Sequence, residues 1–475
     1  MTVMPKPYAV YKDTRMPWQA RVPEHWELRR LKYVLEERDQ RSVDGREPLL
    51  SVSQYTGVTV REDVRGDNGA TCRAESLVGY KVVRPGDLVV NIMLAWNGSM
   101  GVSRFAGITS PSYCVYRCRA GVHPWYVHHL LRSPFYKARI KAVSSGVVDS
   151  RLRLYSDDLL RLEAVLPPFD EQAAIVHFLD YADRRIRRCI RAKRKLIRLL
   201  EEQKKTAIHR AVTRGLDPNV RLKPSGVEWL GNVPAHWEVR RVKEAFAAIV
   251  GGATPPSANS DYWDGDVVWV TPSDVSRDTR LGTSLRRISV AGLRSCSSHL
   301  VPIGSVIVTS RAPVGNVAIA DTELCTNQGC KSLVASPSVV APLYGFYVLT
   351  ALREELESIA TGTTFAEISA GRLGDVRMPL PPLSEQSVIA RALGDATASI
   401  TSVVDKIRCE LALLRECRTC LISDVVTGKL DVRAAAAALP EEGDEVEPAD
   451  EVESESEDGE ADAEEAEQAP KEADA

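Results

Sequence analysis

Several groupings in this chain have residue types and spacings that could do chemistry. Glu202 and Lys204 form an E-x-K pair, as many nucleases carry, but they fall inside a long helical pattern with no second carboxylate positioned beside them. Cys417 and Cys420 form one C-x-x-C, and Cys114 and Cys118 one C-x-x-x-C. A structural zinc site needs four convergent ligands, and neither cysteine pair has a second pair or a histidine cluster nearby, so these read as small helix and strand residues. His128 and His129 adjoin in "HPWYVHHLL", a helix start. Methyl transfer to a base amino group would suggest an Asn/Asp-Pro-Pro-aromatic loop. "LPPF" at 166–169 instead has Leu166 where a polar residue would hold the amine, and no FxGxG turn precedes it. The phosphate loop GxxxxGK[ST] is missing, which argues against ATP hydrolysis by this chain. The expectation is no catalytic residue, no metal site and no cofactor.

The elements that would position any site are spoken twice. "VPEHWELRR" at 22–30 returns as "VPAHWEVRR" at 233–241, and upstream Lys12, Thr14 and Trp18 are answered by Lys223, Ser225 and Trp229. "LPPFDEQ" at 166–172 returns as "LPPLSEQ" at 380–386, and "VTRGLD" at 212–217 as "VTGKLD" at 426–431. Such an internal repeat decides the architecture. Between the last two motifs of each copy runs a helical pattern. Two prolines disfavour helix before Phe169 and Leu383, Asp170 and Ser384 suit the N-cap, and Glu171 and Glu385 put negative charge in the first turn. Gly215 and Gly428 sit where a helix stops. About 44 residues at about 1.5 Å each make roughly 66 Å.

The apolar spacing suggests why these helices are so long. Ile175, Leu179, Ala182, Ile186, Cys189, Lys193, Leu196, Leu200, Gln203 and Ala207 alternate steps of four and three. So do Ile389, Leu393, Ala396, Ile400, Val403, Ile407, Glu410, Leu414, Cys417 and Leu421. A heptad seam of this kind needs a partner helix, and each copy offers one to the other; core packing within a globular bundle is the alternative. Basic residues from Arg184 to Arg198 crowd the outer face of the first helix, as a solvated face or as a contact for phosphates or acidic patches. Residues 49–118 and 247–335 alternate short Val/Ile runs with turns such as "RGDNG" and "YWDGD", the signature of mixed α/β domains. Their loops diverge while the scaffold recurs.

Charge divides the chain. Residues 441–475 hold 18 Asp/Glu and one Lys, leaving 60 basic and 46 acidic residues in 1–440, a net of +14. A basic body suits a polyanion, and the acidic tail reads as disordered, a solubilising extension or a self-competing mimic of DNA. No apolar run of about 18 residues is present, so no membrane span is expected. The start lacks a signal-peptide pattern, and a cytoplasmic setting with free thiols follows.

The doubled PxHWExRR, the doubled LPPxxEQ opening a long helix and the two divergent domains resemble the specificity subunit of a type I DNA restriction–modification enzyme, over residues 10–433. The resemblance implies an α+β fold: target-recognition domain 1 (1–168), spacer helix 1 (169–215), target-recognition domain 2 (216–382), spacer helix 2 (383–433) and an acidic tail (434–475), the two helices pairing as an antiparallel coiled coil that spaces the domains with pseudo-twofold symmetry. It implies a non-catalytic subunit whose domains each read half of a bipartite sequence in double-stranded DNA. Two methyltransferase subunits using S-adenosylmethionine and ATP-dependent endonuclease (translocase) subunits would be its partners, with no membrane. Base edges and phosphates are met by Arg, Lys, Asn, Gln, Ser and Thr in loops. In the first domain these are Gln54, Tyr55, Arg61, Arg65, Asn68, Asn97 and Ser99; in the second, Thr254, Ser273, Arg277, Ser310, Arg311, Asn316, Asn327, Gln328 and Lys331. Trp26 and Trp237 read as packing anchors. A single-chain restriction or methylation enzyme and a coiled-coil adaptor without DNA are the competing readings.

Overall fold

A computed structural model describes residues 4–16, 18–61, 76–146, 152–361 and 366–440. The chain divides into two compact units. The first combines Met1–Arg191 with the chain from Glu410 onward, and the second is Ala192–Cys409.

The first unit carries a four-stranded antiparallel sheet in the order Leu35–Arg38, Cys114–Cys118, Leu88–Val90, Met100–Val102. One of its two inner strands shows no alternation: Leu88, Val89 and Val90 are all buried, as expected of a strand covered on both faces. Helix Pro124–Arg132 packs against it and helix Pro134–Val143 against the turn Ala95–Asn97, each opened by proline at its first turn, where the missing N–H costs nothing. A hairpin of Leu50–Ser53 with Gly57–Val60 stands beside the sheet.

The second unit has a five-stranded sheet in the order Phe246–Gly251, Cys330–Ala335, Val306–Thr309, Val317–Ala320, Arg280–Leu281, the last pair parallel. Beside it stands a three-stranded sheet of Arg286–Ile288, Trp263–Val270 and Cys325–Thr326. In each unit the strand that follows the PxHW motif pairs with the strand that precedes LPPxxEQ, Glu27 opposite Leu166 and Glu238 opposite Leu380.

The glutamate of LPPxxEQ closes each unit. Glu171 Oε1 accepts from Trp26 Nε1 at 2.9 Å and from the Tyr8 hydroxyl at 2.6 Å, and its Oε2 lies 2.7 Å from His25 Nε2. Burial and the adjacent Glu171 push the Tyr8 phenol well above its ordinary range, so it stays a donor. In the second unit Glu385 accepts from Trp237 Nε1 at 3.1 Å and lies 2.8 Å from His236 Nε2. The neighbouring glutamine is buried in both copies and fixes the chain before the next helix. Gln172 accepts from the His123 N–H and donates to Gly121 and Pro167; Gln386 accepts from the Ala341 N–H and donates to Val339 and Pro381.

A third segment joins each clasp. Gly428 packs on Pro23 and Trp26, and Gly215 on Trp237 and Glu385, both at positive φ (+76° and +73°), where a side chain would be strained. Gln19 Nε2 also donates to Thr427 O at 2.7 Å. Each unit therefore ties a PxHW segment to the start of one long helix and the end of the other. Trp26 and Trp237 are wholly buried anchors.

The long helices run Phe169–Arg214 and Leu383–Val426. They begin one residue before the expected caps. Pro168 O accepts the N–H groups of Glu171 and Gln172, and Pro382 O that of Gln386, so the second proline holds the cap position and Asp170 and Ser384 lie in the first turn. Proline lacks a donor but its carbonyl is free to start the ladder.

The expected seam is half a step out of phase. The shielded positions are Leu179, Asp183, Ile186, Ile190, Lys193, Ile197, Leu200, Lys204, Ala207 and Ala211, and Leu393, Thr397, Ile400, Val404, Ile407, Leu411, Leu414, Arg418, Leu421 and Val425. Ile175, Ala182 and Ile389 are shielded as expected, but from Cys189 and from Ala396 onward every second assigned residue gives way to its successor, so Cys189, Leu196, Val403, Glu410 and Cys417 are exposed. The interior takes Ile190, Ile197, Val404 and Leu411 in place of Cys189, Leu196, Val403 and Glu410. The glutamate at 410, a break in the expected seam, is a surface residue beside Leu411.

The described residues also run past the expected tail boundary at 434. A short helix, Arg433–Ala437, buries Ala435 and Ala436; the small side chains let it pack closely, and the acidic residues 441–475 lie outside the described residues. Nine cysteines among the described residues are free thiols. Among the described residues no helix is long and apolar enough to cross a membrane.

The clasp and the helix contacts each make a prediction. Glu171→Ala orphans the buried Trp26 and Tyr8 donors, each costing about 1–3 kcal/mol. Glu385→Ala should cost less, because the Glu385 side chain is 31% exposed against 4% for Glu171; denaturant midpoints of the two variants give the order. In the first unit Asp183 pairs with Arg418 and lies 2.8 Å from Arg187 Nε. Burial opposes its charge, but the Arg187 and Arg418 guanidinium groups outweigh that and hold the carboxyl below its ordinary value. The resulting stability is complete above the unfolded carboxylate pKa of about 3.9 and is lost as pH falls through the lower folded value. Unfolding midpoints of Asp183→Asn should therefore fall less steeply than those of the native chain below about pH 4.

Candidate nucleic-acid interface

Of the nine candidates of the second unit, Thr254, Ser310, Arg311, Asn316, Asn327 and Gln328 lie on loops, Ser273 and Arg277 on a short helix and Lys331 at the start of a strand. The loops are tied by backbone bonds: Ala253 N to Thr326 O (3.0 Å), Asn327 N to Val270 O (2.9 Å), Ser310 N to Gly329 O (2.8 Å) and Ile368 N to Ser310 O (2.9 Å). Trp269 Nε1 adds a bond to Ala253 O at 3.0 Å. The helix Pro272–Arg277 is fixed by a capping box. Wholly buried Asp274 accepts from the Thr271 N–H and hydroxyl with one oxygen and from the Leu285 N–H with the other. That helix carries Ser273 and, one turn on, exposed Arg277.

Side chains link the rest. Thr254 Oγ1 donates to Gln328 Oε1, and Asn316 Nδ2 to Ser276 Oγ at 2.8 Å. Asn327 Oδ1 accepts the Gly329 N–H at 2.9 Å. Glu367, missed in the sequence, sits between two of the candidate cations, accepting from Arg311 Nε at 3.0 Å with Lys331 Nζ at 3.7 Å. Arg277 is paired with Asp278 at 2.8 Å. Ser310 is buried, so its hydroxyl does not reach the surface.

In the first unit Gln54 and Tyr55 form the turn of the 50–60 hairpin, and Tyr55 is 46% exposed. Asn97 is half-buried and its Oδ1 accepts from the Ser99 N–H and hydroxyl; Ser99 itself is buried and serves that turn. Arg61 is exposed at the hairpin's end, its N–H bonded to Leu49 O. Arg65 and Asn68 lie outside the described residues.

Sequence reasoning misses the residue that brings the two turns together. Arg132, the last residue of its helix, reaches the carbonyls of Ser53, Gln54 and Tyr55 on one side and Gly98 and Met100 on the other. The available signal is a lone arginine closing the helix one turn after His128, and a charge there reads equally as a solvated end. Both rims offer amides, hydroxyls and guanidinium groups on loops held from behind. That is the chemistry that meets base edges and phosphates. Among the described residues no group of three His, Cys, Asp or Glu side chains is placed to hold a metal ion.

Several known proteins are similar to this chain. Residues 234–411 match the family model "Type I restriction modification DNA specificity domain". The type I restriction enzyme MjaIX specificity subunit of Methanocaldococcus jannaschii is 35% identical over 167 residues, 34% of this chain and 38% of that one, so the match spans under two-fifths of the relative. The MjaVIII specificity subunit of the same organism is 22% identical over 447 residues, covering 87% and 95%. A solved structure of a type I R-M system aligns with TM-score 0.66 at 22% identity over 86% of this chain and 99% of its own. The HsdS subunit from Thermoanaerobacter tengcongensis aligns with TM-score 0.50 at 22% identity over 86% and 98%. The family match thus lies over most of the second unit, on an HsdS-like fold of mixed helix and strand. Residues 234–411 carry the type I restriction modification DNA specificity domain, and the chain is similar to specificity subunits of type I restriction enzymes.

Proposed function

We propose that this chain selects the DNA target of a type I restriction–modification complex, each unit reading one half of a bipartite sequence in double-stranded DNA. The observation that carries the reading is the pair of loop rims: similarly clasped scaffolds present unlike sets of polar side chains. The candidates on the rims, Tyr55, Arg61, Thr254, Ser273, Arg277, Arg311 and Gln328, are the contacts favoured, with Gln54, Asn97, Asn316, Asn327 and Lys331 behind them. The chain itself is non-catalytic and needs no cofactor. Two methyltransferase subunits and the restriction subunits supply the chemistry, in the cytoplasm.

The recognition domains are 1–168 and 216–382, and the long helices between them pair antiparallel as the spacer. Three contacts support that pairing. Asp183 meets Arg418, Glu201 lies 3.9 Å from Arg408, and Lys204 donates to Thr401 at 3.0 Å, so partner numbers fall along one helix, broadly, as they rise along the other. The four-three stripe of shielded residues on both helices supports it too.

The isolated chain should bind DNA weakly, with affinity falling steeply as salt rises because phosphate contacts release counterions. It should neither cut nor methylate DNA. Titrations across salt, with S-adenosylmethionine and with ATP and Mg²⁺, check this; methylation or cleavage by the chain alone would overturn the proposal. In cells carrying the whole system, methylated bases should map to one two-part motif.

The helices should set the gap in that motif. Each clasp takes the start of one helix and the end of the other, so both must be lengthened together. Four residues added to each extend them by about 6 Å. At about 3.4 Å per base pair, the half-sites should part by roughly two base pairs. An active variant with its gap unchanged would show that partner subunits, not the helices, place the domains.

A further inference from the structure

Arg132 is held between the backbone carbonyls of two separate turns. Its Nη1 donates to Ser53 O and Gly98 O, both at 3.3 Å, and to Met100 O. Its Nη2 donates to Gln54 O at 2.8 Å and Tyr55 O at 3.0 Å. Among the described residues its acceptors are all backbone carbonyls, and the charges felt most strongly are cations. Burial, with Arg418 and Arg187, pushes the guanidinium down to about 10, which leaves it charged at neutral pH. One turn earlier on the same helix, His128 Nδ1 accepts the Val102 N–H at 3.1 Å, so the same helix face also grips the strand Met100–Val102. Burial, then Arg132, holds His128 well below its ordinary value and therefore neutral, able to accept.

A planar fork with five donors can bridge two separate turns, whereas the three donors of an ammonium radiate from one point. Drawing five carbonyls inward fixes the backbone of both turns, and with it the direction of the side chains they carry. We propose that Arg132 is a positioning residue for DNA reading by the first unit. It locks the 53–55 turn against the 97–100 turn so that Gln54, Tyr55 and Asn97 meet one half-site in a single geometry. This rests on the proposed function. The second unit ties its rim differently, through Glu367 between Arg311 and Lys331, so the dependence is confined to one half of the target.

The test uses the complete system in cells, with the native chain, Arg132→Met and Arg132→Lys, and reads the methylated motif by base-resolution mapping. The native chain must yield a two-part motif; if it yields none, the proposed function fails before this inference is reached. With Arg132→Met, discrimination in one half should relax roughly tenfold or more, as when a paired base contact is lost, while the other half stays as sharp as before. Arg132→Lys keeps the charge but cannot span both turns, and should relax the same half to a lesser degree. A merely structural role would lower methylation at every site and leave the motif unchanged. That outcome, equal loss in both halves, or failure of both variants to accumulate in cells would overturn the proposal.

Discussion

A carboxylate buried at the start of a helix has to be met by donors, and Glu171 is met by three aromatic side chains at once. That requirement organises the first unit. Trp26 and His25 can reach the glutamate only if their strand lies along the strand before the helix, which sets the pairing of Glu27–Arg30 with Glu163–Leu166. The packing of Trp26 against Gly428 then draws in the end of the other long helix. Glu385 imposes the same order on the second unit with one donor fewer and more solvent. A single polar contact thus joins three distant parts of the chain, and the apolar cores fill in around it.

Above the clasps the units part company. The first holds its loops with a central cation surrounded by carbonyls. The second holds them with a wholly buried aspartate, Asp274, and an anion, Glu367, between two cations. A base that must be alike and a rim that must differ place different demands on the residues, and the boundary between them falls at the sheets.

Much of the base was legible because its motifs are short, local and repeated. Proline, glycine and the histidine–tryptophan pair announce themselves without a partner. The clasp itself was half legible: the helix dipole accounts for Glu171 and Glu385 locally, whereas their burial depends on residues about 145 positions away. The seam expected from the sequence is one residue out at alternate steps, since periodicity cannot choose between neighbouring apolar rows when only packing distinguishes Cys189 from Ile190 or Val403 from Val404. At the rims, residue type finds the right loops but cannot separate a reader from a brace. Ser99 and Ser310 are buried, and Arg132 and Glu367 act through contacts that link separate loops.

The division of the chain has a temporal side. The second unit is one continuous stretch, but the first needs residues from both the beginning and the end, with Val425, Val426 and Val432 in its core. On a ribosome adding about 5–20 residues per second, Trp26 would emerge on the order of twenty to eighty seconds before Gly428 is made. Through that interval the second unit can finish folding while the first keeps part of its apolar core uncovered. The part of the protein synthesised first is the part completed last, and a chain released early would leave a finished second module joined to an unsealed first one.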